Sequence, residues 1–205
     1  GGIVGAVSEK LSFDPHYQTA LEIALGASSQ HIIVEDEGAA TRAIDFLKKN
    51  RAGRATFLPL TTIKARQLPE QNQSRIEASP GFLGIASELV TYEPGLDNIF
   101  QNLLGTTAIF DTIEHARAAA RQVRYQVRIV TLDGTELRTG GSYAGGANRN
   151  NNTIFIKPEL DSLLGEMEQQ SQKLKVQEQQ VGDLQSQLSE AKQALEVIKS
   201  EGEQA

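Results

Sequence analysis

Apolar positions along the chain follow two regimes. Up to about residue 157, short apolar runs alternate with segments whose apolar residues recur every three or four positions; beyond it one sparse 3-4 repeat takes over. The first regime reads as strands alternating with helices. An opening apolar stretch leads through the acidic-Pro turn Asp14-Pro15 into a helix whose face is Tyr17, Ala20, Leu21 and Ala24. Pro suits the first turn of a new helix and cannot extend an old one. Gly26 stands where a left-handed cap would end it. Buried strands are expected at His31 to Val34 and Ala55 to Leu58, with a helix from about Glu37 to Lys49 between them.

The pattern then repeats. Residues 2 to 26 align without a gap on residues 81 to 105, and seven of the 25 positions are identical: Gly2/Gly81, Gly5/Gly84, Ser8/Ser87, Glu9/Glu88, Pro15/Pro94, Leu25/Leu104 and Gly26/Gly105. The second copy predicts a helix with the face Leu96, Ile99, Phe100 and Leu103, capped at Gly105. A strand follows at Ala108 to Phe110, then a helix from Thr112 to Val123 with an Asp111-x-x-Glu114 capping box, then a strand from Gln126 to Leu132. Strand-helix-strand order in each half predicts an α/β fold with mixed sheets, one per half. The halves are two similar subdomains, about 1–65 and 80–157, joined by a Gln-, Ser- and Pro-rich loop or linker at about 60–80.

From Pro158 to the end, aromatic residues vanish and Gln, Glu, Lys, Leu and Ser dominate. Leu160, Leu164, Met167, Leu174, Val181, Leu184, Leu188, Ala191, Leu195 and Ile198 form a 3-4 seam, so 158–205 reads as a coiled-coil arm about 70 Å long. The register slips once, at Leu184 instead of residue 185, beside Gly182. That stammer overwinds a supercoil locally. So narrow a seam calls for a partner helix, and no other segment of the chain has a matching heptad pattern.

Charge separates along the same boundary. Residues 1–157 carry 16 basic and 16 acidic side chains and 158–205 carry 4 and 10, so the whole net charge of −6 sits in the arm. The acidic average therefore does not exclude an anionic polymer as partner of the first part. The absence of Cys fits a reducing compartment, no apolar run reaches the roughly 20 residues of a membrane span, and the start lacks signal-peptide character. A soluble, intracellular chain without membrane contact is expected.

No catalytic set is evident. His16, His31 and His115 lie 15 and 84 residues apart, without the spacing of a metal site. Paired acids such as Asp14 with Glu93 occupy equivalent repeat positions and read as turn geometry. No cofactor and no metal are expected. Arg117, Arg121 and Arg124 follow 4-3 spacing beside the apolar face of their helix; with Arg128, Arg138 and Arg149 they outnumber Asp133 and Glu136. Such a patch can contact phosphates without reading sequence. A second basic cluster is Lys48, Lys49, Arg51 and Arg54. The glycine pairs Gly140-Gly141 and Gly145-Gly146 enclose Ser142, Tyr143 and Ala144. They allow three readings: a phosphate-cradling loop, although the GxxxxGK[ST] pattern is absent; a hairpin turn; or an edge strand that meets another chain.

Taken together, TALEIALGASSQHIIVEDEGAATRAIDFLKKNRAGRATFLPL, NLLGTTAIF, YQVRIVTLDG and LRTGGSYAGG resemble the hinge domain of bacterial SMC (structural maintenance of chromosomes) proteins over residues 1–157, with the returning coiled-coil arm after it. The resemblance implies a homodimer in which subdomain one of each chain meets subdomain two of the other. Gly140, Gly141, Tyr143, Gly145 and Gly146 would lie at that junction. It also implies an entering arm that pairs with the seam, weak non-specific contact with DNA that favours single strands or junctions, a nucleoid-associated place in the cytoplasm, and ATP hydrolysis only in head domains at the distant termini. The rival expectation is a small-molecule-binding α/β regulatory domain with a helical signalling extension.

Overall fold

In each copy of the repeat, a short strand followed by a 3-10 turn breaks the chain into pieces too short to bury anything alone. In the first copy, β1 (Ile3–Ala6) and β2 (Leu11–Phe13) flank such a turn and lead into α1 (Gln18–Leu25), β3 (Ile32–Val34), α2 (Glu37–Asn50) and β4 (Phe57–Pro59). In the second, β5 (Phe82–Ile85) and β6 (Val90–Tyr92) lead into α4 (Asp97–Leu104), β7 (Thr107–Phe110), α5 (Ile113–Gln122) and β8 (Arg128–Thr131). The computed structural model describes residues 1–147 and 156–203, with side chains from residue 164 onward in the second stretch. The chain divides into two units, Gly1–Ile156 and Lys157–Ala205.

The duplication seen in the sequence is a duplication of topology. β1 pairs antiparallel with β3 and β5 with β7, each with a register shift at the equivalent glycine, Gly5 or Gly84. β3 and β4 are parallel, as are β7 and β8, across α2 and α5 respectively. The copies then diverge. The first sheet stops at three strands, β1-β3-β4; the second continues through β9 (Glu136–Leu137) and β10 (Tyr143–Ala144) to the order β10-β9-β8-β7-β5.

One sheet per half, as the sequence suggested, is not the whole arrangement. β2 and β6 form a third, two-stranded sheet that takes one strand from each copy, with Leu11 opposite Tyr92, Ser12 opposite Thr91 and Phe13 opposite Val90. The larger core is shared in the same way. Val7, Leu21, Leu25 and Ile33 of the first copy pack with Ile99, Phe100, Leu104, Ile109 and Val130 of the second, and Tyr92 stacks on Phe100 at 4.6 Å. Burial of this apolar surface, at about 25 cal/mol per Å², ties the halves together. A second core lies on the other face of the five-stranded sheet, where Phe110, Ile129 and Leu137 meet Ala116, Ala120 and Val123 of α5.

The stretch expected as a linker contains α3 (Glu70–Glu77), whose Ile76 is fully buried in the second core. The cap of α5 is also shifted. Thr112, not Asp111, is the N-cap and accepts from the His115 N–H, while Asp111 takes the Thr112 N–H and lies 2.8 Å from the His115 ring nitrogen. Gly105 is not a left-handed cap: its φ is −72°, and a Cβ there would collide with the carbonyl oxygens of Arg66 and Gln101. Glycine is needed because two backbones close on it. Gly26, by contrast, has φ 53° with ψ −134°, a positive-φ stop outside the left-handed helical region.

The second unit is a single α-helix, α6 (Ile156–Glu203), continuous through Gly182. Leu164, Met167, Leu174, Val181, Leu184, Leu188, Ala191, Leu195 and Ile198 are all exposed along it; the Leu160 side chain lies outside the described residues.

Candidate functional site: the glycine-flanked edge strand

Two backbone hydrogen bonds close the turn between β9 and β10. Arg138 donates to the Ser142 carbonyl at 2.8 Å, and Gly141 donates to the Arg138 carbonyl at 3.0 Å. Gly140 and Gly141 occupy that turn with φ of 94° and 102°, which an L side chain rarely adopts. The first glycine pair is therefore a hairpin turn, and the strand it turns into is the outermost of the sheet, so the hairpin and edge-strand readings describe one object. Tyr143 pairs with Leu137 and Ala144 with Glu136; the other side of β10 has no strand beside it among the described residues.

Gly145 differs from its neighbours. Its φ is not positive, and a Cβ there would stand 3.5 Å from the Thr135 hydroxyl, an ordinary contact. Gly146 has φ 122° and open space around it. Among the described residues, nothing requires a bare backbone at 145. All four glycines and Tyr143 are exposed.

The first copy carries the complementary feature. β4 corresponds to β8, yet among the described residues it has no counterparts of β9 and β10 beside it, so β4 ends its sheet. The Thr56 carbonyl and Leu60 N–H bond toward β3. By alternation, Phe57 turns its N–H and C=O, and Pro59 its C=O, to the open side. Charge near this edge comes from Lys48, Lys49, Arg51 and Arg54, all exposed at the C-terminal end of α2 and just beyond it; Arg51 is the left-handed C-cap, with φ 48°.

Around β10 the expected basic patch is partly rebuilt. Arg117, Arg121 and Arg124 are exposed on and after α5. Two consecutive left-handed residues, Arg124 (φ 52°) and Tyr125 (φ 55°), turn the Tyr125 ring onto the glycine segment, where its hydroxyl meets that of Tyr143 at 3.1 Å. Hydrogen bonding to Tyr143, helped by Arg121 and Arg117 beside it, holds the Tyr125 phenol below its ordinary value; the same bond raises that of Tyr143. This aromatic pair beside the arginines was not legible in the sequence, because Tyr125 and Tyr143 are 18 residues apart.

Arg128 is not part of the patch. Its guanidinium turns inward and donates to the Ala24 and Ile23 carbonyls at 2.8 and 2.9 Å and to Glu136 at 3.1 Å. It satisfies carbonyls at the C-terminal end of α1, a structural role. Arg138 also pairs with Glu136, at 2.7 Å. Arg149 lies outside the described residues.

Among the described residues, no group of three His, Cys, Asp or Glu side chains is placed to hold a metal, and no helix is long and apolar enough to cross a membrane. His31 keeps a buried Nδ1 without a hydrogen-bond partner. Among the described residues, a cavity of about 160 Å³ is lined by Arg66, Gln101 and Gly105, and another of about 270 Å³ by Gln30, His31 and Arg54. Neither involves the glycine segment.

Residues 1–120 match the family model described as the SMC proteins flexible hinge domain. The chain belongs to the SMC hinge-domain family. It is 43% identical over 186 residues to the chromosome partition protein Smc of Bacillus subtilis and 40% identical over 185 residues to that of Lactiplantibacillus plantarum, alignments that cover 90% and 89% of this chain. It spans 16% of the length of each of these relatives. Among solved structures it is similar to the Geobacillus stearothermophilus SMC hinge domain, described as an asymmetric dimer, with a TM-score of 0.72, 40% identity and coverage of 82% of this chain and 69% of that one. The Pyrococcus furiosus SMC hinge domain gives a TM-score of 0.61 at 33% identity, covering 74% of this chain and 76% of that one.

Proposed function

We propose that the chain is a homodimerisation hinge of a chromosome-partition Smc protein, in which β10 of one copy adds to the open β4 edge of the other. Two such junctions, related by a two-fold axis, close the pair, so that subdomain one (about 1–65) of each chain meets subdomain two (about 80–157) of its partner. Gly140, Gly141, Tyr143, Gly145 and Gly146 lie at each junction. The observation that carries this reading is Gly145, a position where the chain itself leaves room for a side chain and has none. A second backbone approaching β10 explains the bare edge, since strand addition draws its affinity from main-chain hydrogen bonds.

The exposed seam of α6 supports the rest of the assembly. It takes the arm that enters the hinge, and the two arms carry the joined hinges toward distant ATPase heads, giving a ring that holds or folds chromosomal DNA. The hinge itself transforms no substrate, works in the cytoplasm at the nucleoid, and touches DNA weakly and without sequence preference through exposed basic side chains.

Sedimentation equilibrium tests the edge. The wild-type chain should weigh as two copies, while Gly141→Arg and Gly146→Arg should weigh as one. A single-chain mass for the wild type at high concentration, or a two-chain mass for both variants, overturns the assignment.

A further inference from the structure

The two copies of the repeat are not equally covered. Gly2 and Gly81 are equivalent, and a Cβ at either would meet the helix that follows, at Ala39 in α2 and at His115 in α5. The N-caps Asp36 and Thr112 stand in the same register. In that register Ala43 corresponds to Ala119, Phe46 to Gln122 and Asn50 to Gln126, while Ile3 of β1 corresponds to Phe82 of β5. At 100° per residue, Ala39, Ala43, Phe46 and Asn50 share the flank of α2 that faces β1. Ile44 lies on the opposite flank, toward β4, so this surface is separate from the proposed junction.

In the second copy, α3 covers this flank. Its fully buried Ile76 shares the second core with Phe82 and Ala119. Arg75 donates to the Gln122 carbonyl at 3.4 Å, the Ser79 hydroxyl to the Gln122 side-chain oxygen at 3.5 Å, and the Asn72 amide to Gln126 at 3.4 Å. In the first copy, nothing among the described residues takes the place of α3. Ile3 stands opposite Val34, on the face of its sheet away from Ile33 and the shared core, and is 56% exposed. Phe46 is 63% exposed, and Ala43, the counterpart of buried Ala119, is only half-buried. The positions that α3 bridges in one copy are thus bare and apolar in the other.

We propose that this flank seats the segment immediately ahead of Gly1 in the longer protein, folded as a short helix that lies on Ile3 and Phe46 as α3 lies on Phe82 and Gln122. The inference rests on the reading above in one respect, that an arm enters the hinge ahead of Gly1; the chain spans 16% of the length of its Smc relatives. Only Ala78 to Gly81 separate the end of α3 from β5. A segment tethered in the same way ahead of β1 reaches the equivalent place through an equally short connection. The tether makes its docking intramolecular, so a modest apolar contact is enough to hold it. Phe46 stands where the second copy has Gln122, so the docked helix needs more apolar surface than α3, whose single buried residue is Ile76. Exposed Arg42 and Lys49 border the flank and favour acidic residues at the margin of that helix. A docked segment gives the entering arm a stiff joint, through which a pull or twist is passed to α2 and on to β4.

Thiol labelling tests the seat, since the 205 residues contain no Cys. Phe46→Cys and Ile3→Cys probe the flank, the second with Phe46 intact; Asp45→Cys, on the far side of α2 from Ala43, is the control. Each is made in the 205-residue chain and in the same chain lengthened by the preceding stretch of about 20 residues, enough for several helical turns. In the shorter chain all three thiols should react at similar rates. Lengthening should slow positions 3 and 46 at least about tenfold, as covered sites react only on local opening, and leave position 45 unchanged. Equal rates at positions 3 and 46 in both chains overturn the seat. Protection already present in the shorter chain assigns the flank to α6 or a second copy, and protection lost on dilution assigns it to another molecule; either overturns the seat as well. Sedimentation of the same samples keeps the two readings apart. A two-chain mass with unprotected thiols removes the seat and leaves the dimer, whereas a single-chain mass with protected thiols removes the dimer and leaves the seat.

Discussion

The guanidinium of Arg128, at the start of β8, donates to the Ala24 carbonyl at 2.8 Å, linking the last turn of α1 in the first copy to the sheet of the second across 104 residues of sequence. The same group bonds the Ile23 carbonyl and Glu136. Charged hydrogen bonds of this kind are worth about 1.5–3 kcal/mol. Arg128→Ala should lower stability by about 2–3 kcal/mol, a Tm drop of roughly 4–10 °C for a domain of this size, and leave oligonucleotide affinity at its wild-type value. Calorimetry and an anisotropy titration check the two halves of this statement. A lost affinity at unchanged Tm would return Arg128 to the basic surface.

Glu136 gives the fold an acid limb. Burial pushes its carboxyl up, but hydrogen bonds and charge from Arg138 and Arg128 outweigh that and hold it below the usual value of 4.5. A depressed carboxylate contributes stability that is present above its unfolded value and is lost as pH falls through its folded value. In urea titrations, the stability gap between wild type and Glu136→Gln should be widest near pH 7 and should narrow below about pH 4.5. A gap independent of pH would show that the ion pairs contribute nothing.

Ile76 separates a linker from a structural helix. Truncating an exposed linker residue typically changes stability by less than about 0.5 kcal/mol, whereas emptying a buried isoleucine site costs about 2–5 kcal/mol. Ile76→Ala should fall in the second range by chemical denaturation.

Gly105→Ala should be among the most damaging single-methyl changes in the chain, above about 3 kcal/mol, because the new Cβ meets two carbonyl oxygens that are themselves held by backbone structure. Gly26→Ala has space around it and should cost only backbone strain, about 1–3 kcal/mol. Thermal melts of the pair rank the two causes.

Gly145→Ala should leave the melting of the single chain within about 0.5 kcal/mol of wild type, since the methyl has room, yet weaken association measured by sedimentation. Equal dimer affinity for this variant and wild type would remove the reason given for its bare backbone.

Long, strongly periodic segments announced themselves in the sequence. α2 runs from Glu37 as expected and extends one residue past Lys49, and the buried strands around Ile33 and Ile109 fall where the apolar runs predict. Their order and the ungapped repeat were enough for the fold class. β2 and β6 were not legible, because three residues hold too little alternation to register as strands and their partner lies in the other copy. α3 was hidden by its polarity, having Ile76 as its single buried residue. At the candidate site, composition pointed to the glycines, but the missing continuation beyond β4 exists only in topology. The misplacement of Arg128 has the same origin: spacing put it with the other arginines, and only a contact across 104 residues shows which way it turns.

The small sheet formed by β2 and β6 carries the symmetry of the duplication. Ser12 faces Thr91, and those two residues correspond under the 79-residue offset of the duplication, so a local dyad passes between them. Each half of the polypeptide meets its own likeness there, as two separate protomers would. A gene encoding one half would have specified a self-complementary subunit, and fusing two such genes would have preserved the contact while freeing the halves to diverge: one sheet continues through β9 and β10, the other ends at β4.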